Sequence, residues 1–361
     1  MNSLKVFQTG IYLLFWLIVT GCKTTDRLPG NVIQSVENRI ENGNNPSIAI
    51  AVIDSKGISY YNFGKTSANG KLIDEHSIYE IGSISKVFTA ILLAQEVVEG
   101  KISLDDPIDP YLPENLIIPI KGQQKITFGH LSDHTSGLPR MPDNFAPANL
   151  QNPYADYSVE QMYAFLSSYT PVREVGSEYE YSNLAQGLLG HTLGLMNDQP
   201  YEDLMIETIA SPLGMAETRI SLSQKMKDNL AVGHSKGEEV ENWDIPTLAG
   251  AGAIRSSTSD MIKFLSANLG HTQTDLAAAM ELTHKIRHNT AGNMRVGLGW
   301  HIKQGMHGDV FFHNGGTGGY NAFVGFVKES GKGIVVFSNS TENIEDIGFH
   351  LLDPSSPLRE F

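Results

Sequence analysis

The chain has 361 residues, 41% hydrophobic and 18% charged, which is globular composition with enough apolar material for a large core. A length of this order accommodates two or three domains, or one large two-lobed unit. The formal net charge of −14 sets a field that repels phosphates, and no basic patch offsets it, which argues against nucleic acid as a partner.

Lys5 gives the N-terminus a positive charge, and residues 11–20 (IYLLFWLIVT) are apolar. That run is short for a membrane span and reads as the core of a signal peptide over residues 1–21. It ends on Val19-Thr20-Gly21-Cys22, and Cys22 is the only cysteine, so no intramolecular disulfide can form. The stretch resembles a bacterial lipoprotein signal, in which cleavage precedes a cysteine that is then lipidated. The resemblance implies an exported protein, lipid-anchored through Cys22 in the bacterial cell envelope, facing the periplasm or at the outer membrane in a Gram-negative cell. Residues 22–30 read as a short polar tether.

Helical spacing follows at 31–42, with Val32, Ile33, Val36 and Ile40 on one stripe and Pro46 as a stop. Residues 47–54 and 58–66 read as strands joined by a hairpin at Ser55-Lys56-Gly57. From 83 to 99 the apolar spacing is helical again, and Gly100 ends it. The middle, about 105–290, mixes Pro- and Gly-rich loops with helical segments at 159–168, 183–196 and 259–269. Residues 296–303, 310–313, 322–327 and 333–338 are β-rich between Gly-rich turns, and an amphipathic helix covers 342–352. Strands at both ends with helices between predict an α/β (α+β) fold. One antiparallel sheet takes strands from both termini, and an all-helical lobe is inserted into it. The sheet lobe spans about 31–80 and 290–361, and the helical lobe about 81–289.

Three motifs carry chemistry. In "YEIGSISKVF", Ser83 stands at the first turn of a helix, and Lys86 lies on the same face three residues on. A serine hydroxyl becomes a useful nucleophile only when a base removes its proton. A lysine one turn away can do so if burial leaves it neutral. Helix-terminal N–H groups offer a place for an oxyanion. The plainer reading is a serine N-cap before a surface lysine. In "GSEYEYSNLAQ", Tyr181 and Asn183 stand two apart before a helix. The bare pattern recurs at Tyr60 and Asn62, and Tyr181 could equally be a half-buried core tyrosine. The third stretch, His313-Asn314-Gly315-Gly316-Thr317-Gly318-Gly319-Tyr320, lets a backbone pass close to a ligand, or else forms a flexible hairpin loop.

Together these pieces resemble the class C β-lactamases, whose wider family includes DD-peptidases, D-aminopeptidases and esterases. "YEIGSISK" is similar to the family's active-site signature, Tyr181-Ser182-Asn183 to its Tyr-x-Asn element, and "HNGGTGGYNAFVGF" to its Lys-Thr-Gly strand. Leu104-Asp105-Asp106-Pro107, His134 to Pro139 (HTSGLP), Pro212-Leu213-Gly214-Met215 and Ser256 to Asp260 (SSTSD) agree in order, so the resemblance runs from about 35 to 350. It implies a β-lactamase/transpeptidase-like fold and a serine hydrolase working through an acyl-enzyme, with no cofactor and no metal. Ser83 is implied as nucleophile, and Lys86 and Tyr181 as sharing proton transfer, with neither singled out as the base. Asn183 is implied to bind the substrate amide and orient Lys86. His313, Asn314 and Gly315 are implied on the substrate-binding strand. The backbone N–H groups of Ser83 and Gly316 form the implied oxyanion hole, worth about 3 kcal/mol per donor.

The substrate expected first is a β-lactam ring. Alternatives are a DD-carboxypeptidase cutting D-Ala-terminated cell-wall peptides, a D-aminopeptidase or esterase, and a penicillin-binding sensor that acylates with little turnover. A monomer is expected. Two departures stand out. His313 and Asn314 replace the usual lysine and threonine, so the lysine that helps bind a β-lactam carboxylate is absent. If His313 binds that carboxylate as an imidazolium, affinity should weaken between about pH 6 and 8. In "GLPRMPD" no glutamine matches the one found nearby in class C enzymes, and Arg140 stands at the cleft edge or on the surface.

Other candidates are weaker. Phe63-Gly64-Lys65-Thr66 lacks the glycine of a phosphate loop, since Ser59 stands there. His130/His134 and His284/His288 have helical metal-ligand spacing but no third ligand, and read as surface or loop-packing residues.

Overall fold

The structure, a computed structural model, describes residues 28–290, 292 and 294–359. The expected signal peptide, Cys22 and the tether up to residue 27 lie outside the described residues.

The strands in chain order are β1 (Ser47–Asp54), β2 (Gly57–Gly64), β3 (Tyr79–Glu80), β4 (His234–Ser235), β5 (Glu238–Glu239) and β6 (Arg255–Ser256), then β7 (His288–Asn289), β8 (Met294–Val296), β9 (His301–Gly305), β10 (Gly308–Gly316), β11 (Asn321–Val327) and β12 (Lys332–Ser338). The helices are α1 (Gly30–Glu41), α2 (Ser85–Val98), α3 (Phe128–Ser132), α4 (Val159–Ser168), α5 (Asn183–Met196) and α6 (Tyr201–Met205), then α7 (Gln224–Asp228), α8 (Ala249–Gly252), α9 (Thr258–Asn268), α10 (Ala277–Thr283) and α11 (Glu345–Leu352).

One antiparallel sheet runs β2-β1-β12-β11-β10-β9-β8-β7. The first strand of the chain pairs with the last, Ile48 opposite Ser338, so both ends of the described chain build one sheet. Strand side chains alternate between faces. Ile48, Ile50, Phe312 and Val336 pack under α1 and α11 with Val32, Val36, Ile347 and Leu351. Ala49, Phe311, Val335 and Phe337 face the other core, which also takes in α2, α5 and α9. Helix α2 is buried on nearly every side from Ser85 to Ala94, as a helix through the middle of a large core must be.

Two strand expectations are corrected. The run at 296–303 is broken: Gly297 N–H closes a turn on the Trp300 carbonyl, and Gly299 takes a φ of 70°. A Cβ on Gly299 would lie 2.9 Å from the Lys86 carbonyl, so this turn is pressed against α2. The run at 310–313 extends to Gly316, and "HNGG" is paired strand rather than hairpin loop, with His313 opposite Val324 and Gly315 opposite Ala322.

The glycines in that strand are a packing requirement. A Cβ on Gly315 would sit 1.9 Å from the Ile81 carbonyl oxygen, a backbone atom with nowhere to go. Gly315→Ala must push β10 away from the turn that carries Ser83. A loss of about 3 kcal/mol is expected, as for overpacking of a tight core site, visible as a lower urea midpoint. A midpoint equal to wild type would show that the two segments are not rigidly apposed.

Candidate active site

Strand β3 ends at Glu80, and Gly82–Ile84 forms a single 3₁₀ turn before α2 begins. Gly82 has a φ of 50°, and a Cβ there would approach the Gly316 amide nitrogen to 2.9 Å. Ser83 is thereby presented, half-buried, at the mouth of α2. Lys86, one turn on, is fully buried. Its Nζ donates to Ser83 Oγ at 2.9 Å and to the Ala251 carbonyl at 2.7 Å. Burial, with the nearby Arg140 charge adding to it, holds this amine well below the usual lysine range. Among the described residues no carboxylate bonds it, and the lowered pKa favours the neutral amine, the form that can accept a proton.

Tyr181 comes from the segment ahead of α5. Ser182 is the N-cap of that helix, its Oγ accepting the Ala185 N–H at 2.9 Å and donating to the Pro139 carbonyl at 2.7 Å. The middle residue of Tyr-x-Asn is therefore the cap, which leaves Tyr181 and Asn183 on either side of a fixed point. The Tyr181 hydroxyl hydrogen-bonds Ser83, and burial pushes its pKa up to about 12, so it is a phenol at neutral pH. Its ring centroid is 4.9 Å from Lys86 Nζ and 5.0 Å from the Arg140 guanidinium carbon. Arg140 thus stands at the mouth of the site, over the tyrosine.

Asn183 lines the same cleft but donates to Met141 Sδ at 3.7 Å. The second hydrogen bond of Lys86 goes to Ala251, where Asn183 was expected. The cleft is walled by Ser83, Asn183, Tyr154, Trp243, Gly316 and Thr317. Tyr154 and Trp243 pack at 5.2 Å between centroids, and Gly318 leaves room for the indole. The Ser83 amide nitrogen lies 3.1 Å from the point a Gly315 Cβ would occupy. The Ser83 and Gly316 amides are therefore neighbours at one cleft, the arrangement an oxyanion requires.

The β10 residues part company. His313 faces the Lys86 side and is 1% exposed, with Nδ1 2.6 Å from the Asn314 carbonyl. Burial first, then His301 and Lys86, hold its pKa well below the histidine range. The imidazolium that carboxylate binding would need is thus disfavoured, and the ring is neutral at pH 7. Asn314 points to the opposite face, as strand alternation dictates, and donates to Glu345 of α11 at 2.6 Å. Its side chain does not reach the cleft. The sign of the pH effect follows: a histidine whose folded pKa is depressed is uncharged throughout pH 6–8. The KM for a carboxylate-bearing substrate is expected to stay flat there, by initial-rate measurement. A KM that rises across that window, as the imidazolium idea requires, would refute the neutral ring.

Sequence reading missed several neighbours. His134, taken with His130 as a surface or loop-packing residue, is buried with its ring centroid 4.6 Å from that of Tyr181. His301 lies 5.0 Å from His313 and accepts or donates with the Tyr179 hydroxyl at 3.1 Å. Burial lowers its pKa to about 4. "HTSGLP" was a findable signal for His134; Trp243, Tyr154 and His301 carried none. His130 instead closes a capping box with Thr127 on α3, and His284 packs among Trp300, Phe311 and Phe326. Among the described residues no group of three or more His, Cys, Asp or Glu is placed to hold a metal.

Comparison with known proteins agrees with this arrangement. A family described as Beta-lactamase matches residues 32–350. A beta-lactamase of Pseudomonas fluorescens is 28% identical over 346 residues, covering 85% of this chain and 92% of its own. The D-alanyl-D-alanine-carboxypeptidase/endopeptidase AmpH of Escherichia coli K12 is 27% identical, with 83% of each chain covered. Among solved structures, a beta-lactamase/D-alanine carboxypeptidase from Pseudomonas syringae superposes with a TM-score of 0.79 at 23% identity, over 90% of this chain and 98% of its own. That likeness establishes a shared fold.

Proposed function

The chain belongs to the beta-lactamase family, and from that premise we propose that it is a serine hydrolase that opens the amide of a β-lactam ring through an acyl-enzyme. The observation that carries the reading is the buried, neutral Lys86 amine 2.9 Å from Ser83 Oγ, with the Tyr181 phenol on the same hydroxyl.

Ser83 Oγ attacks the carbonyl carbon while its proton passes to Lys86. A lowered lysine and a raised tyrosine favour the amine as first acceptor. The carbonyl oxygen takes the developing charge between the Ser83 and Gly316 amides. Collapse breaks the C–N bond, and the leaving nitrogen receives a proton relayed from Lys86 through the Tyr181 phenol. The product is an ester on Ser83. Water, losing a proton along the same path, then hydrolyses that ester and restores the hydroxyl. Asn183 and the Trp243 wall hold the acyl portion.

A second reading has one observation in its favour. With His313 neutral, the β10 side of the cleft offers no fixed positive charge to a β-lactam carboxylate. That favours peptide or ester substrates on the same serine, in keeping with the carboxypeptidase names of two of its relatives. The deciding experiment gives the purified domain a chromogenic cephalosporin and a D-Ala-D-Ala peptide and follows both by mass. Fast cephalosporin turnover supports the lactamase. Peptide cleavage with slow lactam turnover supports the peptidase, and a persistent adduct on Ser83 the sensor. No reaction with either removes all three. The expected export, lipid anchor on Cys22 and monomeric state remain part of this proposal. Metabolic labelling with a radioactive fatty acid, lost in Cys22→Ser, tests the anchor.

A further inference from the structure

We propose that His134 is a positioning residue of this site: it holds the segment carrying Tyr181 in register with Ser83 and Lys86. The inference rests on the hydrolase reading above and deepens it.

Three contacts converge on one residue. The His134 carbonyl accepts the Glu180 N–H at 2.8 Å. Its Nδ1 accepts the Ser182 N–H at 3.1 Å. Its ring lies against that of Tyr181, with centroids 4.6 Å apart and planes at 30°. The residues before and after Tyr181 are both bonded to His134, and the ring between them covers Tyr181 itself. Phenol, cap and backbone are thus located by a single residue outside the reacting groups: the ring holds the phenol and the cap, and the carbonyl holds the backbone at Glu180.

The backbone at His134 underlines the point. Its φ is 64°, the left-handed region that glycine or asparagine occupies more easily. A turn alone would be served better by glycine. What glycine lacks is an acceptor for Ser182 and a face for Tyr181, and these are what the imidazole supplies.

The ring has to be neutral. With Nδ1 accepting, the proton of the neutral form sits on Nε2, and a proton on Nδ1 would set two donors against each other. The groups facing it are Lys86 from α2, Arg140 from the loop that follows, His301 from β9, His313 from β10, and Tyr179 and Tyr181. None of these is a carboxylate that would favour a charged ring.

The test uses two variants. His134→Gly keeps the left-handed backbone and removes the ring. A catalytic phenol displaced by about 1 Å costs on the order of 100-fold, so kcat is expected to fall by about that factor with KM nearly unchanged. The alkaline limb of the kcat profile is expected to shift, because the Tyr181 environment changes, while the melting temperature falls, since the ring leaves a cavity and the Ser182 N–H loses its acceptor. His134→Asn keeps the conformation and a short acceptor, and is expected to recover about tenfold of the lost rate. A His134→Gly enzyme with kcat near wild type and an unmoved alkaline limb overturns the proposal. If His134→Gly does not fold, the same kcat and limb comparison on His134→Asn decides. Failure of the hydrolase reading looks different: the wild type itself would then turn over neither probe.

Discussion

Ser83→Ala is expected to lower kcat on every substrate the protein turns over, by on the order of 10⁵, as removal of a serine nucleophile does elsewhere. The reason is local and complete. Within the turn at Gly82–Ile84 the attacking oxygen is a single atom, and the half-buried hydroxyl is the only one that both Lys86 and Tyr181 address. Stability should hardly change, because Lys86 keeps its bond to the Ala251 carbonyl. Steady-state assay with a chromogenic cephalosporin and a peptide, and intact mass after each, check it. The variant should show no acyl adduct while still binding substrate reversibly. Hydrolysis undiminished in Ser83→Ala would sink the assignment of the site.

Lys86→Met is expected to cut kcat by about 10³ or more while raising the melting temperature at pH 7, a split that ordinary damage to the core does not produce. The side chain is fully buried in α2, with no carboxylate bonded to it. Its folded pKa lies well below the usual lysine value of 10.5, with burial as the main cause. The unfolded chain therefore binds a proton that the folded one excludes, and this linkage destabilises the fold below pH 10.5, increasingly so as pH falls toward the folded pKa. Methionine, of similar length, removes that cost. The losses are the hydrogen bonds to Ser83 Oγ and to the Ala251 carbonyl, about 1 kcal/mol each. The gain in melting temperature should shrink as pH climbs from 7 toward 10, since wild type recovers its own deficit there. A variant less stable than wild type at pH 7, or a gain constant with pH, would mean that Lys86 is charged in the folded state.

The nucleophile and its partners were legible because they are short-range patterns. Ser83 and Lys86 are one turn apart, and Tyr181 and Asn183 flank a cap, so local geometry alone brings each pair together. The sheet from both chain ends was legible from alternation in 47–54 and 322–338. What failed did so where the reason was long-range. By residue type alone "HNGG" reads as a flexible loop, because glycine disfavours strands, and only the resemblance points to a strand. It is strand because β10 must pass within van der Waals contact of Ile81. The resemblance puts Asn314 on the substrate side at the usual threonine position, and strand alternation sends it to α11 instead. His134 was set aside as half of a spacing pattern, although its partners lie near residue 181 and in β9 and β10.

From the sequence by itself came the mixed sheet-and-helix architecture, read from periodicity, and, through the resemblance of three motifs to the family, the list of reactive groups and their order. Only the tertiary structure decided protonation. Burial in α2 pulls the Lys86 pKa well below the lysine range, and burial first, then His301 and Lys86, pulls that of His313 well below the histidine range. Charge depends on the dielectric and the neighbours a group meets after folding, and those come from segments hundreds of residues apart.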